Sequence, residues 1–350
     1  MKIAIINDTH FGARNDSPFF LEQSLEFFEK TFFPYLKEHG ITTVLHLGDL
    51  LDRRKFINFN TLAQVKKRFF TPLIENKINI HITVGNHDTY YKNTNSLNSL
   101  RELFYKESPY IHIHEDPIEL DFGGLCIGMV PWIAKDNEQE CLNFIKKCKC
   151  PVVVGHFEIK GFQVINGVVH PHGITEKEFN RFEMVLSGHF HMKQQGKNIH
   201  YLGTQYQLNF GDANTPKGFH ILNTDTRELE FIKNPTEIFH TIKYDDEKES
   251  IKKLISSDVS QYRNCFVKLI VTNKTKAYDF DKFVDSLYAV PVQEVSIIED
   301  YQEKQTETDI DIAEDTLSII NKEIDSLENI ENKTKLKVLV KDLYMESLTL

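Results

Sequence analysis

The chain has no apolar run approaching the length of a membrane span, a single tryptophan, and only five cysteines among 350 residues. The first absence argues against a membrane-spanning helix. No signal-peptide pattern is visible either, because Met1-Lys2 leads directly into an apolar segment. A cytoplasmic location with no membrane partner is the expectation. Cys126, Cys141, Cys148, Cys150 and Cys265 are odd in number and irregular in spacing, which fits reduced thiols better than a disulfide framework. Cys148-Lys149-Cys150 has the look of half a zinc site, but no second pair stands at a suitable spacing, so buried thiols are expected there too. An excess of positive charge is also missing. The net charge is −10, and it is unevenly spread: residues 301–350 hold 6 basic against 12 acidic side chains, and residues 1–240 hold 26 against 28. Global electrostatics therefore neither demand nor exclude a nucleic-acid partner. There is no internal repeat.

What is present is the composition of a globular protein, 41% apolar and 26% charged, at a length exceeding one ordinary domain. Up to about Asn234, short Ile- and Val-rich runs alternate with helical periodicity. Helices are expected over Phe19–Lys37, Thr61–Phe70 and Glu138–Lys147, and strands around 42–47, 79–84, 110–114, 125–130, 151–154 and 184–187. This order implies an α/β fold, with sheets in the centre and functional loops at the strand C-terminal ends. Composition shifts near Asn234-Pro235. A β-α-β-α-β pattern then runs to Glu299 with no ligand-type cluster, as expected of a small α+β module that covers or shapes a site. The expected domains are 1–236, 237–300, a polar linker over 301–308, and a helix-loop-helix over 309–350. In that last segment Leu317, Ile320, Ile324 and Leu327, then Leu336, Leu339 and Leu343, fall at helical spacing, with Thr334 as a candidate N-cap. The hairpin either packs on its own chain or offers an apolar face to a partner's helices.

The chemistry sits at five strand ends. Ile3–Ile6 runs into Asn7-Asp8-Thr9-His10, Val44–Leu47 into Gly48-Asp49-Leu50-Leu51-Asp52, and Ile80–Val84 into Gly85-Asn86-His87-Asp88. Val152–Val154 then runs into Gly155-His156, and Met184–Ser187 into Gly188-His189-Phe190-His191. Five apolar strands each delivering Asp, Asn or His describe a two-metal site. Such a centre needs a bridging carboxylate, for which Asp49 is the natural choice. Asp8 and His10 suit one ion, Asn86 the other, and His156, His189 and His191 complete the shells. Mixed oxygen and imidazole ligands favour Mn, Fe or Zn over Mg or Ca.

These ordered motifs resemble those of the calcineurin-like metallophosphoesterases, over about residues 1–212. Within them the chain is most similar to the SbcD-type DNA repair and recombination nucleases. Tyr201-Leu202-Gly203-Thr204 resembles that family's tyrosine-x-glycine-serine segment. Length and element order also look like the nuclease subunits of the recombination endonucleases of large tailed phages. The resemblance implies a metallophosphoesterase β-sandwich flanked by helices, a small capping domain and a C-terminal helical hairpin. It implies two divalent ions, Mn2+ first, with Mg2+, Fe2+ or Zn2+ as alternatives. One ion would be held by Asp8, His10, Asp49 and His191, the other by Asp49, Asn86, His156 and His189. His87 matches the family's catalytic histidine, and Asp52 a position where a carboxylate could orient His87 and keep it protonated. The implied activity is 3′–5′ exonuclease and endonuclease cleavage of DNA, on double and single strands. The implied assembly is a homodimer in a 2:2 complex with an SMC-like ATPase of the SbcC type, in a phage host's cytoplasm. In that family the helical tail grips the ATPase coiled coil, which makes Leu317, Ile320, Leu336, Leu339 and Leu343 candidate anchors. The competing readings are a phosphatase or phosphodiesterase for small molecules or phosphoproteins, and a scaffold with a vestigial site.

Other residues carry weaker expectations. Arg53-Arg54-Lys55 could grip DNA phosphates beside the metals. His46 reads as a core or supporting histidine, and Asp88 as an organiser of its loop. His112 and His114 on one strand face, and His170 and His172 around Pro171, read as solvent-facing. Lys66-Lys67-Arg68 reads as the wet face of a helix.

Overall fold

A computed structural model of the chain describes residues 1–165, 167–248, 259–299, 324 and 332–348. They divide into two compact units: Met1–Tyr206 and Pro216–Asn234 with the tail helix, and Gln207–Thr215 with residues 235–299. The linker over 301–308, the first helix of the expected β-α-β-α-β pattern, and Leu317 and Ile320 lie outside the described residues.

The first unit is built on two six-stranded sheets. One runs in the order Leu229–Lys233, Gly218–Asn223, Lys2–Ile6, Thr43–His46, Asn79–Thr83, Ile111–His114. The last four strands are parallel, and Lys2–Ile6 is antiparallel to Gly218–Asn223. The other runs Gln194–Gly196, Ile199–Tyr201, Met184–Ser187, Val152–Gly155, Leu125–Val130, Ile118–Phe122, with four central parallel strands. Sequence periodicity finds the buried parallel strands that carry the ligand-type loops and misses the antiparallel and edge strands, among them buried Gly218–Asn223 and half-exposed Ile118–Phe122, Gln194–Gly196 and Leu229–Lys233. Between the sheets lies one apolar layer that includes Ile3, Ile5, Leu45, Leu47, Ile127, Met129, Val154 and Leu186.

Helices carry the aromatic half of the core. Pro18–Phe27, Phe28–Phe32 and Phe33–Glu38 run on continuously, with a π-helical middle. Phe28 is fully buried and meets Phe11 and Phe69 at ring distances of 5.8 and 4.7 Å. Phe32 packs edge-on against Phe219 of the first sheet. Arg68 lies on the wet face of the second helical run, where it bridges Glu22 and Glu29.

Two expectations fail in this unit. Cys126 and Cys150 are joined as a disulfide rather than standing as separate thiols. They precede paired positions of two neighbouring parallel strands, where Ile127 faces Val152, and their Cα atoms are therefore only 4.8 Å apart. Cys141 and Cys148 remain buried thiols. His112 and His114 are half-buried rather than solvent-facing. His81 on the adjacent strand stacks on both, at 4.5 and 5.3 Å, and its own ring meets Phe122.

In the second unit Phe239–Asp245, Phe266–Asn273 and Glu294–Glu299 form a wholly parallel sheet. Helix Ala277–Tyr288 lays Phe280, Phe283 and Leu287 on Tyr244, Val267, Leu269 and Val271. Residues 207–215, which sequence reading assigns to the first domain, belong here. Gln207 Oε1 accepts from the Ile238 and Phe239 amides at 2.7 and 2.8 Å, and Phe210 packs on Phe239.

At the tail, helix Lys333–Leu348 is capped by Asn332, whose Oδ1 accepts from Lys335 N at 2.9 Å, and not by Thr334. Its expected partner helix falls outside the described residues apart from Ile324, which is buried. Leu336 is half-buried, while Leu339 and Leu343 are exposed. Among the described residues no helix is long and apolar enough to cross a membrane.

The histidine cluster generates a pH dependence. Burial, reinforced by the neighbouring imidazoles, pushes His81 down to about 3 and His114 to about 4. Below the ordinary value of 6.5 the unfolded chain takes up protons that the folded cluster refuses. Stability is therefore lost as pH falls from about 6.5 toward 4. Thermal unfolding followed by circular dichroism should give a midpoint that drops between pH 7 and pH 5. His81→Leu should make that drop shallower; an unchanged slope would show that the cluster is not its source.

Candidate metal centre

The strand ends converge as the parallel order requires, and they are locked together by backbone. Asp8 N donates to Gly48 O at 2.9 Å, His10 N to Asp49 O at 3.1 Å and Phe11 N to Leu50 O at 3.0 Å. Asp88 serves as the organiser: its buried carboxylate accepts from the amides of Gly85, Asp49 and Leu50 at 2.9, 2.9 and 3.0 Å. Asp8, His10, Asp49 and His189 all adopt left-handed backbone, with φ of 48°, 41°, 57° and 83°. Such conformations are costly for side-chain-bearing residues and persist only where surroundings over-determine them.

Seven expected ligands come together. Ligand atoms of Asp8, His10 and His191 lie within 4.8 Å of one another, as do those of Asp8, Asp49 and His156. Asn86 Oδ1 stands 2.8 Å from His156 Nε2 and 3.0 Å from His189 Nδ1. Asp49 lies between the two groups: Oδ2 is 3.3 Å from His156 Nε2 and 3.7 Å from His10 Nε2, while Oδ1 accepts from His87 N.

This donor set fits divalent cations. His10 Nε2 faces His191 Nε2 at 3.1 Å, two ring nitrogens that a shared cation would reconcile. Two buried carboxylates, Asp8 and Asp49, lie close together. Asp8 is raised by burial and by the charge of Asp49. Burial alone would also raise Asp49, but the imidazoles of His156, His87 and His10 hold it well below the usual carboxylate range. His10 and His156 are pushed up to about 9, because the carboxylates outweigh burial. The site thus concentrates negative charge that divalent ions would balance.

The catalytic candidates depart from expectation in one respect. It is the backbone oxygen of Asp52, not its carboxylate, that accepts from His87 Nδ1, at 2.6 Å. The carboxylate turns to His10, with Oδ1 3.2 Å from Nδ1. This is the arrangement of a carboxylate that fixes the tautomer and direction of a metal-binding imidazole. The Asp52 carboxylate thus faces His10, while its carbonyl holds His87. The His87 ring stands edge-on to His10 at 4.7 Å.

The basic triplet separates by role. Arg53 is committed to Asp16 and Asn15. Arg54 lies over the Trp132 ring at 5.5 Å, and its Nε and Nη1 are buried with no hydrogen-bond partner among the described residues. Lys55 is exposed and lies over Tyr90 at 5.4 Å.

Several supporting residues were not legible as such. Asn7 donates to Asp8 and to Gly203 O. Buried Lys217 donates to His191 O at 2.8 Å. His170 is buried against Phe190 and pairs with Glu158, contrary to its expected exposure; His172 is exposed. Only Asn7, next to Asp8 in sequence, offered a signal. His46 is buried, and Thr9 Oγ1 stands 3.1 Å from its Nε2.

The profile of the calcineurin-like phosphoesterases matches residues 1–193. The chain belongs to this family. It is 33% identical over 309 residues to exonuclease subunit 1 of Enterobacteria phage T4, covering 87% of this chain and 88% of that one. It is 24% identical over 262 residues to the SbcD component of the nuclease SbcCD of Staphylococcus epidermidis, covering 65% and 67%. The chain is thus SbcD-like as well as calcineurin-like.

The tight backbone packing predicts intolerance at Gly85. A Cβ there would overlap the Asp49 backbone nitrogen and Oδ1. Gly85→Ala should weaken Mn2+ binding at least about tenfold in calorimetric titration, since relieving the overlap displaces the Asp49 carboxylate. Wild-type affinity would show that Asp49 can shift without consequence.

Proposed function

We propose that the chain is a metal-dependent DNA nuclease that hydrolyses phosphodiester bonds, acting in recombination and double-strand-break repair beside an SMC-like ATPase of the SbcC type. The carrying observation is the pair of buried ligand groups that meet at Asp49 with His87 alongside. The relatives named as nuclease subunits support DNA as substrate and an assembly with a second subunit. In this reading one ion is held by Asp8, His10, Asp49 and His191, and the other by Asp49, Asn86, His156 and His189. Bound divalent ions supply Lewis acidity toward a phosphoryl oxygen and toward the attacking water, and Mn2+ suits this ligand set. A homodimer within a 2:2 complex, and both 3′–5′ exonuclease and endonuclease action, belong to the same proposal.

The chain's own groups would do the rest. With Nδ1 held by Asp52 O, His87 presents Nε2 to the substrate, where it protonates or hydrogen-bonds the leaving sugar oxygen. Burial lowers the His87 pKa, and an anionic phosphodiester beside it acts in the opposite sense by favouring the imidazolium. Of the basic triplet after Asp52, exposed Lys55 is the side chain that would meet a backbone phosphate in this reading.

His87→Gln should lower cleavage of a 3′-labelled duplex about 10²–10⁴-fold while both Mn2+ ions still bind. Wild-type activity on that duplex should vanish in EDTA and exceed activity on para-nitrophenyl phosphate. Loss of metal in the variant would make His87 a ligand, and a preference for the small ester would overturn the nuclease reading.

The partner proposal is tested at exposed positions of the tail helix. Leu339 and Leu343 are each 55% exposed, so their replacement leaves the fold intact. Leu339→Asp/Leu343→Asp should abolish co-purification with the ATPase, through loss of apolar burial worth about 1.5–3 kcal/mol at each position. Basal nuclease activity should persist. Unimpaired association would place the ATPase contact elsewhere.

A further inference from the structure

The two loops that carry Asp52 and His87 both turn aromatic within four residues of the metal centre. Asp52 is followed by Arg53-Arg54-Lys55-Phe56 and then Phe59, and His87 by Tyr90-Tyr91. Phe56 is 72% exposed, Phe59 84% and Tyr91 51%. Phe59 opens helix Phe59–Val65, which Asn58 caps through the amides of Asn60 and Thr61. The backbone there is therefore well held while the ring stays in water. Large rings so exposed contribute little to folding, and several together mark a binding surface.

The basic groups around them point to the occupant. Lys55 lies over Tyr90, and Tyr90 meets Tyr91 at 4.7 Å. Phe56, Tyr90, Arg54 and Lys55 line one cleft of about 180 Å³. Cations that match phosphates, interleaved with flat rings that match bases, are the chemistry of a single nucleic-acid strand. An ordinary apolar protein contact would not require an exposed cation seated over the rings.

Resting on the nuclease reading above, we infer that Phe56 and Phe59, with Tyr90 and Tyr91, form a stacking platform for unpaired bases of the strand entering the metal centre. Four extended residues reach at most about 14 Å, so the bases concerned belong to nucleotides near the scissile phosphate. The platform would hold a frayed or single-stranded end while Lys55 and the metals engage its backbone.

The test compares binding of the full chain, in EDTA to prevent cleavage, to a labelled single strand and to an abasic strand of equal length. Phe56→Ala/Phe59→Ala should weaken binding to the normal strand on the order of tenfold or more and leave abasic binding unchanged. Phe56→Trp/Phe59→Trp should retain normal affinity. An equal loss on both strands, or no loss on either, overturns the platform. A wild-type chain that cleaves duplex DNA yet binds independently of these rings sinks the platform alone. One that neither binds nor cleaves DNA sinks the nuclease reading with it.

Discussion

Everything at the active end of the sandwich depends on keeping the carboxylates of Asp8, Asp49 and Asp88 buried within one small volume. Like charges so placed repel strongly in a medium of low dielectric. The chain answers with three kinds of compensation. Backbone amides converge on Asp88 and, from His189, on Asp8. Imidazoles surround Asp49 and hold it ionised. The remaining charge is of the kind divalent ions would balance. The left-handed backbone at four candidate ligand positions belongs to the same constraint, because it turns each loop so that donors and acceptors face inward.

The sandwich makes such convergence possible. Parallel strands deliver all their C-terminal ends to one edge, so residues far apart in sequence meet without long loops. Asp8 and His189 are 181 positions apart and are joined directly by a hydrogen bond. The aromatic helices and the apolar layer between the sheets hold this edge rigid. Rigidity is what a two-metal centre needs, since its ligands must hold geometry that flexible loops would lose.

Asp52 shows how one residue can divide its backbone and its side chain between two neighbours. Its position after the Gly-Asp motif places it beside His87, and sequence reading naturally gives its carboxylate to that histidine. In the fold, backbone and side chain serve different imidazoles: the carbonyl takes His87 and the carboxylate takes His10. A shared loop conformation thereby couples the orientation of a proposed ligand to that of the proposed proton donor.

The local order of the amino acids determined the pieces that depend on neighbours. Glu138–Lys147 was legible because its periodicity is strong and both ends are marked. The strand ends that carry the candidate ligands were legible as one cluster because an apolar run ending in Gly, Asp, Asn and His has few other physical uses. What only the tertiary structure decided was anything requiring two distant segments to meet. The Cys126–Cys150 pairing follows from strand adjacency and not from cysteine spacing. His112 and His114 are covered by His81 of the neighbouring strand, and residues 207–215 join the second unit through Gln207. Arg53 and Arg54 are identical in type and adjacent in sequence, yet one is spent on Asp16 and the other left with unmatched donors. Side-chain direction and the choice of partner are set by packing across the fold, and no single stretch of sequence contains that information.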